Sequence, residues 1–227
     1  MNWMLCGVLL WVSGSVFATE LPVQTKTITE KSASVTIDVG YPQTQQPTID
    51  AALAAWVKQQ VDSFKDGSGD PDEARWSLDI EYNIARNDRQ MFSVLFTVGE
   101  YTGGAHGNIG FKTFNFLLPN GQPLDIEQVI DGRKGLERLS ALTVAELKQR
   151  LLADGGSDTK WIETGAGPEW SNFDAFILLS DTLLIQFAPY QVASYADGPQ
   201  DVEIPLTALK GALRSNLGAW AQQLDVN

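Results

Sequence analysis

A chain of 227 residues with 44% hydrophobic side chains is long enough to bury a substantial core. Its net charge of −12 argues against nucleic acid and anionic membrane surfaces as partners. The negative charge either attracts a cationic partner or only keeps the protein soluble. The chain has only one histidine and one cysteine, so neither residue has a second of its kind with which to bind a metal ion, and we expect no metal site. We also expect no cofactor.

The first 18 residues predict a secretory signal peptide. They contain no charged side chain, the run from Leu5 to Val12 is apolar, and the segment ends at Ala18. An apolar run this short falls below the roughly 20 residues that span a bilayer. Cleavage after Ala18 would remove Cys6, so we expect a periplasmic or secreted protein with no disulfide, no thiol chemistry and no membrane span.

The next part of the chain predicts a hairpin followed by a helix. Residues 24–30 and 34–41 alternate apolar or β-branched with polar side chains, which is typical of two paired strands. Apolar residues then recur at helical spacing and predict a long helix over about 49–65. We assign residues 19–73 to an N-terminal lobe made of this hairpin and helix.

The acidic stretch at 66–73 superficially resembles a calcium-binding loop. Oxygen-bearing side chains stand at alternate positions, but Pro71 occupies the place of the required glycine, and Ser77 that of the bidentate glutamate. We therefore interpret the stretch as an acidic, solvated loop.

The remaining residues, 74–227, predict a second domain in which strands and helices come in blocks. In chain order the patterns indicate strands at 76–84, 92–98 and 109–118, and a helix at 136–151 that ends before Gly155-Gly156. An irregular surface segment with at most one helical turn follows at 157–172. The last elements are a hairpin at 173–179 and 183–187, a strand at 202–204, and a broken helix at 206–224 with weak points at Gly211 and Gly218. Blocks of this kind predict an α+β fold with antiparallel sheets, two long helices and a broken C-terminal helix.

The stretch from Tyr101 to Asn108 is the first candidate site. It holds the only histidine and three of the 20 glycines, between two strongly apolar strands. Glycines accept backbone angles that other residues avoid, and histidine titrates nearest to neutral pH. A structural turn, partner binding and catalysis all remain open as interpretations. The candidate binding residues are Tyr101, Thr102, Gly103, Gly104, His106 and Asn108.

Carboxylates offer a weaker signal. Asp79 and Glu81 share the polar face of one strand, in the manner of the acid pair of a glycosidase, and Glu100 lies close to His106 in the sequence. Half-buried strands commonly carry such polar faces. We therefore assign no catalytic residue.

The segment from Phe187 to Pro199 is the second candidate site. Its two tyrosines, flanked by proline, aspartate and glycine, predict an ordered turn whose rings either fill the core or form a binding surface. Tyr190, Tyr195 and Asp197 complete the set of candidate binding residues.

Together the two segments resemble a known bacterial family. The similarity rests on Tyr-Thr-Gly-Gly-Ala-His from Tyr101, on Tyr-Gln-Val-Ala-Ser-Tyr-Ala-Asp-Gly-Pro from Tyr190, on Ile204-Pro205, and on the turn at 120–124. Over about residues 75–213 the chain is similar to the RsiV-like C-terminal domain family of unknown function, which includes the extracellular domain of a lysozyme-sensing anti-sigma factor. The N-terminal hairpin and helix resemble a companion module that also occurs in a peptidoglycan deacetylase.

The resemblance implies an exported, non-catalytic α+β module that works at the cell wall. The implied partners are a cationic wall-directed protein such as lysozyme, or peptidoglycan. A wall-polysaccharide hydrolase or deacetylase-related enzyme, with Glu100 or an aspartate acting beside His106, is one alternative, and a purely structural envelope protein is another. A shared binding surface requires that the two motif segments meet in the folded chain.

Overall fold

The computed structural model describes residues 20–67, 75–152 and 158–215. The signal peptide expected at 1–18, most of the acidic loop at 66–73, and the glycine pair at 155–156 lie outside these residues.

Six strands form the larger sheet, in the order β1-β2-β3-β4-β5-β6. They are β1 Gln24–Lys31, β2 Val35–Gln43, β3 Trp76–Asn87, β4 Met91–Tyr101, β5 Asn108–Leu117 and β6 Gln122–Pro123. Every neighbouring pair is antiparallel, as predicted, except β2 and β3, which run parallel. Parallel neighbours need a crossover connection, and helix α1, Pro47–Gly67, provides it.

Helix α1 covers one face of this sheet. Side chains of a strand alternate between the two faces, so every second residue of β2 to β5 meets the helix. The buried residues of α1 are Ile49, Leu53, Val57, Val61 and Phe64, and they share a core with Ile37, Val39, Leu78, Ile80, Phe92, Val94, Phe96 and Phe116. The hairpin and α1 therefore pack in one core with β3, β4 and β5, and a lobe boundary near residue 73 stays a prediction.

A second, antiparallel sheet packs on the opposite face. Its strands are β7 Phe176–Leu178, β8 Thr182–Phe187 and β9 Gln200–Pro205, and the helices beside it are α2 Ile126–Val129, α3 Gly132–Leu151 and α4 Thr159–Gly165. Leu136, Leu139 and Leu147 of α3 join Ile185 and Phe187 of β8 in a second core. The prediction of an α+β fold with two long helices, α1 and α3, is confirmed.

Two predicted segments differ from the structure. The segment at 157–172 is more regular than expected, because it contains all seven residues of α4 and the start of a 3-10 helix, Trp170–Phe173. The prediction of a C-terminal helix is wrong between 210 and 215, because only Leu206–Leu209 is helical there, as a 3-10 turn. Gly211 then takes a φ of 78°, which ends the helical path, and Leu213 forms a bridge with Ile130. The remainder, from 216, lies outside the described residues.

Polar side chains of the larger sheet join it to β7. The Asn115 amide donates to the Phe176 carbonyl at 2.9 Å and accepts from the Leu178 N–H at 3.1 Å. The Arg86 guanidinium donates to the carbonyls of Leu178 and Leu179 at 3.3 and 3.1 Å. These bonds occupy the outer edge of β7, whose inner edge pairs with β8. The two sheets are thus joined by hydrogen bonds in a buried region.

Asn115→Ala should destabilise the protein by about 2–4 kcal/mol, because it leaves a buried carbonyl and a buried N–H without partners. Urea denaturation monitored by tryptophan fluorescence would measure the loss. Asn83→Ala is the matched control, because Asn83 is an exposed asparagine on β3, and it should change stability by less than about 0.5 kcal/mol. Equal effects of the two substitutions would contradict the role given to Asn115.

The Arg86 side chain is itself held by Asp88. The Asp88 carboxylate accepts from the Arg86 Nε at 2.6 Å and from the N–H groups of Gln90 and Met91 at 2.7 and 2.9 Å. Partial burial alone would raise the pKa of Asp88, but these hydrogen bonds and the guanidinium charge lower it below its usual value. The carboxylate therefore stabilises the fold above the pKa of an unfolded aspartate, and this contribution is lost as the pH falls through the lowered pKa.

Asp88→Asn should lower the free energy of unfolding near neutral pH and reduce its decline as the pH falls below the pKa of an unfolded aspartate. Urea denaturation at a series of pH values would show the two proteins converging in acid. Asp79→Asn, at an exposed position of β3, is the control and should follow the wild-type curve. A stability difference that is constant across the pH range would show that the charge of Asp88 is not responsible.

Candidate functional site

The loop between β4 and β5 is closed by its own groups. Gly103 and Gly104 have φ values of 94° and 101°, in the region that favours glycine. The Tyr101 hydroxyl donates across the loop to the Gly104 carbonyl at 3.1 Å. The two glycines and this hydrogen bond define the shape of the loop that presents His106, which is exposed.

The hydrogen bonds of His106 orient its ring. The Nδ1 atom lies 2.8 Å from the Gly107 carbonyl oxygen, which can only accept, so a neutral ring carries its proton on Nδ1. The Nε2 atom is then an acceptor, and the Tyr190 hydroxyl lies 3.4 Å from it. This distance is long for a hydrogen bond, so the interaction between the Tyr190 hydroxyl and the His106 Nε2 is weak.

Three aromatic rings from the two motif segments meet on the surface. The His106 and Tyr195 rings stack, with centroids 4.0 Å apart and an interplanar angle of 21°. Tyr190 lies 6.4 Å from His106 and 5.6 Å from Tyr195, and it is 52% exposed. We call this group of His106, Tyr190 and Tyr195 the aromatic platform. The loop at 101–108 and the turn at 190–198 therefore meet in the folded chain, as a shared surface requires.

Helix α4 supports the platform from behind. Tyr190 has a φ of 71°, unusual for a residue with a side chain, and its carbonyl accepts from the Trp161 indole at 2.9 Å. The Gln191 amide donates to the carbonyls of Gly165 and Asn172 at 3.1 and 3.2 Å. Sequence reasoning missed these supports, because the segment around Trp161 has no clear periodicity.

The other predicted site residues have different positions. The Asp197 carboxylate accepts from the Ser194 hydroxyl at 2.5 Å, so it serves the turn that carries Tyr195. Thr102 and Asn108 are exposed near the platform. Glu100 lies on the face of β4 that is turned towards α1, where it lines a groove with Trp56.

The described residues limit the chemistry that this part of the chain offers. Within residues 20–67, 75–152 and 158–215, no cluster of histidine, cysteine and carboxylate side chains is placed to hold a metal ion. In the same ranges, none of the helices combines the length and apolar character needed to cross a bilayer. Asp79 and Glu81 line a shallow groove on β3, with Asp38 nearby. The geometry at His106 favours stacking and hydrogen bonding.

Comparison with known proteins divides the chain into two parts. Residues 28–109 match the family model described as "Deacetylase PdaC", and residues 129–207 match "Protein of unknown function (DUF3298)". The predicted resemblance, to a domain of unknown function behind a companion module of a peptidoglycan deacetylase, is confirmed. The likeness to the anti-sigma factor stays a prediction. His106 lies in the first matched part, and Tyr190 and Tyr195 lie in the second.

One relative matches most of the chain. The chain is 28% identical over 197 residues to the peptidoglycan-N-acetylmuramic acid deacetylase PdaC of Bacillus subtilis, and the match covers 85% of this chain but 42% of that protein. The chain thus spans less than half the length of that relative.

Two solved structures share the fold. A member of the DUF3298 family from Bacteroides fragilis has a TM-score of 0.63 and 19% identity, and the match covers 90% of this chain and 98% of that one. A DUF3298 family protein from Pseudomonas aeruginosa PAO1 has a TM-score of 0.65 and 18% identity, with coverages of 87% and 96%. Both matches span most of this chain, so the fold they share includes both matched parts.

Gly165→Ala should destabilise the protein and displace the platform. Alanine normally favours a helix over glycine by up to about 1 kcal/mol, but here the added Cβ would lie 1.8 Å from the Gln191 carbonyl oxygen. We expect a loss of at least about 2 kcal/mol, because the Gln191 backbone must move. Thermal unfolding and the NMR signals of the His106 ring would report both effects. Gly110→Ala, where a Cβ meets open space, is the control and should leave both measurements unchanged.

Proposed function

We propose that this chain is an exported, non-catalytic binding module of the bacterial envelope that recognises cell-wall glycan through the aromatic platform. The stacked and exposed rings of His106, Tyr190 and Tyr195 are the observation that carries this proposal. The deacetylase relative is named for peptidoglycan N-acetylmuramic acid, and its alignment with 85% of this chain supports a cell-wall setting. The predicted signal peptide supports a periplasmic or secreted location.

The chemistry of the platform suits a sugar ring. An aromatic face is apolar and carries a partial negative charge, so it attracts the polarised C–H face of a sugar. The Tyr190 hydroxyl and the His106 Nε2, only 3.4 Å apart and weakly bonded, offer a donor and an acceptor to sugar hydroxyls. Tyrosine is a rigid anchor with few rotatable bonds, so binding costs little side-chain entropy.

The charge of the chain fits an uncharged part of the wall. A net charge of −12 repels polyanions but exerts little force on a neutral saccharide. Asp197, the carboxylate nearest to Tyr195 in the sequence, is bonded to Ser194. The ligand class that we propose is therefore a neutral oligosaccharide of N-acetylated sugars.

The acidic charge favours a second candidate, a cationic wall-directed protein such as lysozyme. Exposed tyrosines commonly anchor protein interfaces, and an acidic surface steers a cationic partner towards them. Salt separates the two candidates: attraction between charged proteins weakens as ionic strength rises, whereas stacking on a neutral sugar does not.

Tyr195→Ala should weaken binding of a chitooligosaccharide, measured by calorimetry, by at least about tenfold, because it removes the ring that stacks on His106. Tyr195→Phe is the matched control: it keeps the ring and should keep most of the affinity. Tyr190→Asn removes the second ring with a residue that tolerates positive φ, so lost binding there would not reflect backbone strain.

The same samples test the alternatives. If Tyr195→Ala binds the oligosaccharide as well as wild type does, the platform is not the glycan site. Binding of lysozyme that disappears at high salt would support the cationic partner instead. Deacetylation or hydrolysis of peptidoglycan fragments that is lost in His106→Ala, while the fold survives, would contradict a non-catalytic role. His106→Ala and Tyr195→Ala variants that only lower the melting temperature would favour a purely structural protein.

A further inference from the structure

Strand β5 has an outer edge that is mostly unpaired. Its partner on that side, β6, pairs only with Phe116 and Leu117. The Asn115 carbonyl also faces outwards, because it accepts from the Leu124 N–H at 2.8 Å. N-terminal to Asn115, no strand of the described chain follows β5 in the sheet order.

The direction of the backbone groups follows from the pairing with β4. The Leu118 N–H bonds to the Gln90 carbonyl, so even-numbered residues in this register face β4 and odd-numbered residues face outwards. The N–H and C=O groups of Ile109, Phe111 and Thr113 therefore face outwards. Ile109 is exposed and Phe111 is partly exposed, whereas Thr113 is buried, so the accessible part of the edge lies at Ile109 and Phe111. Among residues 20–67, 75–152 and 158–215, no backbone hydrogen bond to these groups is present.

Two grooves follow this edge and share Lys112. The first has a volume of about 370 Å³ and lies between Trp56, Val98 and Gly110. Its charged lining residues, Glu100 and Lys112, are one of each sign. Gly110 creates part of this space, because a Cβ there would have no heavy atom within 4 Å. The second groove has a volume of about 620 Å³ and continues past the other end of the edge. Its lining includes three carboxylates, those of Asp125, Glu127 and Asp174.

We propose that an extended peptide from another protein adds to this edge as a further strand. The outward backbone groups of Ile109 and Phe111 would pair with it, as an exposed sheet edge does in strand addition. The space beside Trp56 and Gly110 accepts an apolar side chain of the peptide.

The charge of the second groove indicates which side chain the peptide places there. Asp125, Glu127 and Asp174 outnumber Lys112 in the second groove, so the peptide carries a basic side chain there. The two grooves are centred near Gly110 and Phe114, and a strand advances about 3.3 Å per residue. The apolar and basic side chains are therefore separated by about four residues.

This site is separate from the aromatic platform and does not rest on the glycan proposal. The platform uses side chains of the loop that precedes β5, whereas the edge uses backbone groups of β5 itself. Tyr195→Ala should therefore leave peptide binding unchanged, and Gly110→Val should leave oligosaccharide binding unchanged.

The test uses a short capped peptide of alternating threonine and valine that ends in two lysines. In the free protein, the amides of Ile109 and Phe111 should exchange rapidly with deuterium, and the peptide at millimolar concentration should slow their exchange by at least about tenfold. N-methylation of the alternate peptide residues that pair with β5 should abolish the effect, and N-methylation of the other alternate residues should not. Replacing the lysines with glutamates should weaken binding.

Gly110→Val tests the groove without disturbing the fold. Valine suits a strand and has open space at this position, so the melting temperature should hold while peptide affinity falls by at least about tenfold. Thr29→Val, an exposed position of the edge strand β1, is the matched control and should bind as wild type does.

Three outcomes would overturn the proposal. The first is slow exchange of the Ile109 and Phe111 amides in the free protein. It would mean that another part of the chain already covers the edge, or that a second copy does so if the exchange rate depends on protein concentration. The second is unchanged exchange at millimolar peptide. The third is equal binding by the two N-methylated peptides, which would mean that side chains, and not the backbone, hold the peptide.

Discussion

The structure depends on how the backbone N–H and carbonyl groups on the outer edge of β7 find hydrogen-bond partners. Leu178 in this strand is fully buried, and a buried N–H or carbonyl without a partner costs about 1–3 kcal/mol. No strand pairs with that edge among the described residues; the amide of Asn115 and the guanidinium of Arg86 bond to it instead. This link fixes the smaller sheet, and with it the turn that carries Tyr190, relative to the loop that carries His106.

The link exists because of one irregularity in β3. The register between β3 and β4 shifts between Ile84 and Arg86, which places Arg86, and not Ala85, opposite Ser93. Arg86, Ser93 and Asn115 then form a row across three neighbouring strands, on the face turned away from α1. A buried guanidinium needs compensation, and Asp88 provides a carboxylate that is only half-exposed.

Sequence patterns predicted the regular parts of this fold for clear reasons. The alternation from Trp76 and the helical stripe from Ile49 each reflect one continuous face against a core, so both elements were predictable. The link was not, because Asn115 occupies a strand position where the pattern alone does not tell a solvent-facing asparagine from one that bonds to another sheet. The glycines at 103 and 104 indicated a special turn. The contact of His106 with Tyr195, however, depends on the hydrogen bonds from Asn115 and Arg86 to β7, which the sequence pattern does not reveal.

The aromatic platform draws its residues from both matched parts of the chain. His106 belongs to the part matched by the deacetylase model, whereas Tyr190 and Tyr195 belong to the DUF3298 part, so neither part alone can form the stack. Residues 110–128, between the two matched parts, contribute Asn115 to the link and most of the free edge of β5. The geometry of the platform therefore depends on side chains that lie far from it, because a shift of the smaller sheet against β5 would move Tyr195 away from His106.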